Sequence, residues 1–244
     1  MSPASGASRS VTNLVTEPRQ HAALKARLYA GLFCLVLPVF GACSDETQDQ
    51  DRRLAPVAIG KLEDSSIREA SGLARSYRQD NILWTINDNG ADEWVHAISP
   101  RGRRLGEFDL KRSKNKDWED LASFMLDDKP YLLIADIGDN EAKHETRTLY
   151  VVKEPEPKKK DSEKVDWRID FRYPDGPRDA ESAAVDIDKE RVLVLSKRDI
   201  PPVLYELPLR SGQEDTITAK RLGAITTLPR PSRQDIEFAP KLND

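Results

Sequence analysis

Glu69, Asp117 with Glu119, Asp179 with Glu181, and Asp235 with Glu237 are carboxylates whose spacing suggests joint work. They open four similar segments: Glu69-Ala70-Ser71-Gly72-Leu73-Ala74, Asp117-Trp118-Glu119-Asp120-Leu121-Ala122, Asp179-Ala180-Glu181-Ser182-Ala183-Ala184 and Asp235-Ile236-Glu237-Phe238-Ala239. The starts recur at gaps of 48, 62 and 56 residues. A repeat of about this length sets equivalent residues of successive units around one axis. Repetition then turns one acidic pair into a ring of carboxylates. Calcium takes about six to eight oxygen ligands from carboxylates, amide and backbone carbonyls and water, so such a ring is hard-cation chemistry. A wider set of candidates adds Asp88, Asp120, Asp139, Asn140 and Asp235. The set expected to hold calcium is Glu69, Asn87, Asp117, Glu119, Asp136, Asp179, Glu181 and Glu237. Clustered carboxylates repel, and a cation relieves that repulsion. The other reading stands beside it: short carboxylates at strand ends also accept backbone N–H bonds in turns.

The elements that must position these groups are short strands. Each of the first three starts leads into a second run: 82–86, 131–135 and 191–195. A third run follows at 94–98, 148–152 and 203–207, and a fourth at 104–108, 165–171 and 221–225. Runs of this length, rich in branched and aromatic residues and bounded by turn formers such as Asn89-Gly90, read as strands. Val165, Trp167, Ile169 and Phe171 alternate with period two, as in a strand with one buried face. No sustained helical stripe is present. Four strands per unit predict an all-β fold, a β-propeller of four-stranded blades. If alternate residues share a face, Asp117 and Glu119 point one way and Trp118 points into the core between blades. The Lys/Glu/Pro-rich stretch 154–164 reads as a solvated loop that lengthens the second unit. The chain carries about three blades and the start of a fourth. A truncated form of a longer chain is the favoured reading of that break, with ring closure by assembly as the alternative.

The 244 residues carry 33% charged and 7% aromatic side chains and a net charge of −4, which disfavours a nucleic-acid backbone as partner. Both cysteines, Cys34 and Cys43, lie near the N-terminus, so no disulfide framework holds the body. Arg19, Lys25 and Arg27 precede the apolar run 28–40, which is shorter than a membrane-spanning helix requires. A basic flank, an apolar core and a small-residue exit read as a secretory signal. The exit Phe40-Gly41-Ala42-Cys43 resembles a bacterial lipobox, with Phe40 where leucine is usual. That resemblance implies lipidation of Cys43 and a lipid-anchored protein of the cell envelope, on the periplasmic or extracellular side. The expected organisation is a signal segment over 1–43, a flexible polar tether over 44–55 and the partial propeller over 56–244.

Among the histidines, His96 sits within a strand and reads as packed. His144 follows the Asp136–Asn140 cluster and is the one loop candidate for a general base. The body has no Gly-x-Ser-x-Gly elbow, cysteine nucleophile, Walker loop or zinc spacing.

Five segments carry a family resemblance: 71–74, Leu83-Trp84-Thr85-Ile86-Asn87-Asp88, 117–122, Asp136-Ile137-Gly138-Asp139-Asn140 and 173–181. Together they resemble a group of bacterial propeller proteins over about residues 56–240. More distantly the chain is similar to calcium-dependent propellers, the lactonases, gluconolactonases and phytase-like phosphoesterases. That resemblance implies calcium in or near a central channel. The functional expectation is an exported, membrane-tethered ligand-binding or scaffold module that takes an unidentified ligand in its channel and binds calcium. The alternative is a calcium-dependent hydrolase of lactones or phosphate esters.

Overall fold

A computed structural model describes residues 58–88, 90, 92–210 and 215–227. Cys34, Cys43, the apolar run 28–40, Asp235 and Glu237 lie outside the described residues. The chain divides between Ala55 and Pro56, and every described residue belongs to the second part. Among the described residues no helix is long and apolar enough to cross a membrane.

The described chain is all β, in three sheets. Sheet I holds β1 (Ala70–Arg75), β2 (Leu83–Asn87), β3 (Trp94–Ile98) and β4 (Arg104–Lys111) as an antiparallel meander. Sheet II repeats the plan with β5 (Trp118–Leu126), β6 (Lys129–Asp136) and β7 (Arg147–Lys153). After β7 the chain leaves for β8 (Asp161–Lys164), which pairs parallel to β4 at the edge of sheet I. It then returns as β9 (Trp167–Arg172) of sheet II. Sheet III has β10 (Ala180–Asp186), β11 (Arg191–Ser196) and β12 (Val203–Pro208). The same detour follows: β13 (Ile217–Thr218) pairs parallel to β9, and β14 (Lys220–Ala224) completes sheet III. Within the described residues the sheets form an open series and close no ring.

These detours correct the expectation of a free loop over 154–164. The third-to-fourth-strand connection of one unit covers the outer edge of the sheet before it, where an open edge would invite pairing with another chain. Polar sequence at 161–164 conceals the strand because it needs only backbone pairing, not a buried face. The close approach is visible at Gly106, where a Cβ would stand 2.2 Å from the Lys158 carbonyl oxygen.

Period-two alternation assigns each strand's two faces. Trp84, Ile86, Val95, Ala97, Phe108 and Leu110 of sheet I pack against Trp118, Leu132, Ile134, Tyr150 and Val152 of sheet II. The alternate residues Leu133, Ala135, Leu149, Val151, Ile169 and Phe171 pack against Val192, Val194, Tyr205 and Leu207 of sheet III. Sheet II is thus buried on both faces, and for that reason 131–135 is an unbroken apolar run. Trp84 meets Phe108 edge-on at 5.5 Å, and Tyr173 meets Tyr205 edge-on at 4.8 Å.

Candidate metal centre

The first strand of each sheet carries a register shift near its start: Ser71/Leu73, Trp118/Asp120 and Ala180/Ser182. A β-bulge bends its strand and re-aims the neighbouring side chain. Cross-strand bonds then bring the three first strands together. Ser71 Oγ donates to the Glu119 carbonyl oxygen at 2.6 Å. Asp120 accepts from the Ala183 N–H at 2.7 Å. Gly72, at φ +60°, sits where a Cβ would stand 2.5 Å from the Leu121 nitrogen, so the β1–β5 approach requires glycine.

This geometry gathers carboxylates from all three sheets. One oxygen each of Asp88, Asp117 and Glu119 lie within 4.8 Å of one another, as do those of Glu119, Asp179 and Glu181. Glu119 belongs to both triads. The approach to it is made by Gly138, where a Cβ would stand 2.4 Å from Glu119 Oε1 and 2.5 Å from Asp117 Oδ2.

The two triads differ in charge balance. Around the second, Lys197 pairs with Glu181. Arg198 Nε lies 2.9 Å from Asp179 Oδ2, and Asp179 Oδ1 also accepts the Asp139 N–H at 2.9 Å. In the first, Asp117 is 8% exposed and its Oδ1 is buried without a hydrogen-bond partner. Burial, then the neighbouring Asp88 carboxylate, pushes the Asp117 acid up to about 6, against the opposing pull of Arg147. Burial, then Glu181, Asp88 and Asp117, drives Glu119 strongly upward. Two carboxylates held this close share a proton or require a cation.

Of the residues expected to hold calcium, Asp117, Glu119, Asp179 and Glu181 are brought together, joined by Asp88 of the wider set. Asn87 and Asp136 take the other role foreseen for such residues. Asn87 Oδ1 accepts the N–H groups of Arg68 and Glu69 at 3.0 and 3.3 Å. Asp136 Oδ1 accepts the Asp117 N–H at 2.8 Å. Both tie the end of a second strand to the start of a first. Glu69 is exposed and belongs to neither triad. Asp139 is likewise committed: it accepts from the His144 N–H and contacts His144 Nδ1 at 2.9 Å and Arg147 at 2.8 Å. Burial raises its pKa, but the bonds from His144 and Arg147 outweigh that and hold it low. His144 itself is 59% exposed beside this network. Gly138, Lys197 and Arg198 were not foreseen as site residues. Their signal is positional, since Lys197 follows the second strand of sheet III as Asp88 follows that of sheet I.

No protein-family model matches the chain, and no curated protein matches it. Among solved structures, Kuenenia stuttgartiensis hydrazine synthase is similar at 8% identity with a TM-score of 0.39. The similarity spans 63% of this chain and 37% of that one. A likeness of that size carries neither fold nor activity across.

Proposed function

We propose that this chain is an exported, lipid-anchored protein whose sheets are blades of a β-propeller. Its first strands hold a hard divalent cation, calcium by preference, as part of a ligand-binding or scaffold module of the cell envelope. The observation that carries the cation reading is the buried, unpartnered Asp117 Oδ1 beside Asp88 and Glu119, with Gly138 keeping the approach clear. Asp88, Asp117 and Glu119 would hold the ion. Oxygen-only ligands favour calcium or magnesium over softer metals. Asp179 and Glu181 contribute less, because Arg198 and Lys197 already balance them. The propeller reading is supported by the repeated meander, the bulge common to all three first strands and the shared outer-strand detour. Export and anchoring rest on the signal-like run and on Cys43.

The second reading is a calcium-dependent hydrolase of lactones or phosphate esters. It draws on His144, exposed and hydrogen-bonded to Asp139, whose backbone N–H in turn reaches Asp179. A bound cation would polarise a carbonyl or phosphoryl oxygen there.

Calcium titration of the full chain in detergent, by calorimetry and thermal melting, tests the cation reading. Saturable binding is expected. At a hundredfold excess over Kd, ligation stabilises by about 2.7 kcal/mol, or about 5–10 °C in Tm for a chain of this size. A folded protein that binds no calcium and gains no stability would overturn it. Calcium-dependent turnover of a lactone or phosphate-ester panel, lost in His144→Ala, would select the second reading.

A further inference from the structure

A second site lies on the face of sheet I turned away from sheet II. Val95 and Ala97 of β3 enter the core between the sheets, so alternation turns Trp94 and His96 to the opposite side. There they line a cavity of about 580 Å³. His96 is 3% exposed, and neither of its ring nitrogens has a hydrogen-bond partner. Nδ1 lies 3.3 Å from Glu107 Oε2 without hydrogen-bond alignment. Glu107 is held by Arg104 at 2.5 Å, and Arg104 by Asp64 at 2.9 Å. Asp64 and Glu107 therefore both engage Arg104, and none of these three is free for a ligand.

The groups left for a ligand are of three kinds. Arg68 and Lys160 bring positive charge, with Lys160 Nζ 4.8 Å from the centre of the Trp94 ring. Glu69 and Asp92 bring acceptors. The imidazole, with Nδ1 turned to Glu107, brings Nε2 as an acceptor without a partner. A simple anion would satisfy the cations and be repelled by the acids. A neutral sugar would leave the cations unmatched. A hydroxylated ring bearing one carboxylate meets all three: the carboxylate on Arg68 and Lys160, hydroxyls donating to Glu69 and Asp92, and a hydroxyl donating to His96 Nε2. We propose that this cavity binds a uronic-acid-type sugar, free or at the end of a polyuronate. None of the residues lining the cavity belongs to either carboxylate triad.

Calorimetry of the full chain in detergent, with EDTA to silence the cation centre, tests this with D-galacturonate, D-galactose and trigalacturonate. Saturable galacturonate binding is expected, with galactose at least tenfold weaker. The trimer binding more tightly than the monomer would assign the chain end as the source; equal binding would assign the free sugar. Arg68→Ala, an exposed change, should weaken galacturonate at least tenfold with Tm unchanged, and the His96 ring resonance should shift on binding. No saturable binding, galactose binding equally well, Arg68→Ala without effect, or an unmoved His96 resonance would each overturn the proposal.

Discussion

The interface between sheets I and II has two ends, and a buried carboxylate at each behaves in the opposite way. At the end where β7 finishes, Glu154 is 1% exposed and fully occupied. It accepts from Trp84 Nε1 at 2.8 Å, from the Tyr77 N–H at 2.9 Å and from the Ser76 hydroxyl. At the end where β5 begins, Asp117 is nearly as buried, yet one oxygen has no donor and its neighbours are Asp88 and Glu119. Burying a charge is costly unless it is paired and hydrogen-bonded. Glu154 meets that condition with donors from the chain itself and pins two sheets together. Asp117 does not, and a group left unmet in an otherwise satisfied interface marks where something from outside is expected. The third sheet sharpens the contrast, since Lys197 and Arg198 pair there directly with Glu181 and Asp179.

Removing the satisfied carboxylate should have the largest effect. Glu154→Ala strands three donors and is expected to cost about 3–5 kcal/mol, read by urea unfolding, while leaving any calcium response intact. Gly138→Ala comes next: its Cβ must displace the Asp117 and Glu119 carboxylates. It should cost about 1–3 kcal/mol and abolish the calcium-induced rise in Tm. Glu119→Gln should act in reverse, stabilising the calcium-free protein by roughly 1 kcal/mol while weakening calcium binding at least tenfold. A loss of stability in EDTA would show that the acids do not oppose one another.

The smallest effect is the pH slope. Asp117 has its folded pKa raised from 3.8 to about 6, so the folded state binds the proton more tightly than the unfolded chain does. Its contribution is fully present below about pH 4 and is lost as pH rises through about 6. Glu119 acts in the same direction at higher pH. In EDTA, Tm should therefore fall as pH rises from 4 to 7, and saturating calcium should flatten that slope. Identical slopes with and without calcium would remove Asp117 and Glu119 from the cation's ligands.

Much of the framework could be read in the residues alone, because strand burial is written as local pattern. The runs 191–195, 94–98 and 203–207 coincide with β11, β3 and β12 to within a residue. Trp118 lies in the core between sheets I and II, as alternation demands. The outer strands β8 and β13 were not legible, since a strand held by backbone pairing alone leaves no side-chain pattern. Nor was the destination of Glu154, which follows β7 in a Pro- and Lys-rich stretch that reads as solvated.

The site divides the same way. That carboxylates from successive units would meet is contained in the repeat itself, because neighbouring copies of a repeated unit stack and set equivalent positions near one another. Which carboxylates meet depends on a few ångströms at the bulges and on which N–H groups lie nearest. Asn87 and Asp136 are drawn off to backbone donors, Glu69 turns to solvent, and Asp88 enters beside Asp117. One-dimensional spacing sets the acids at matching positions of successive units. The three-dimensional competition among backbone donors, the Lys197 and Arg198 cations and neighbouring carboxylates decides which of them remain unsatisfied.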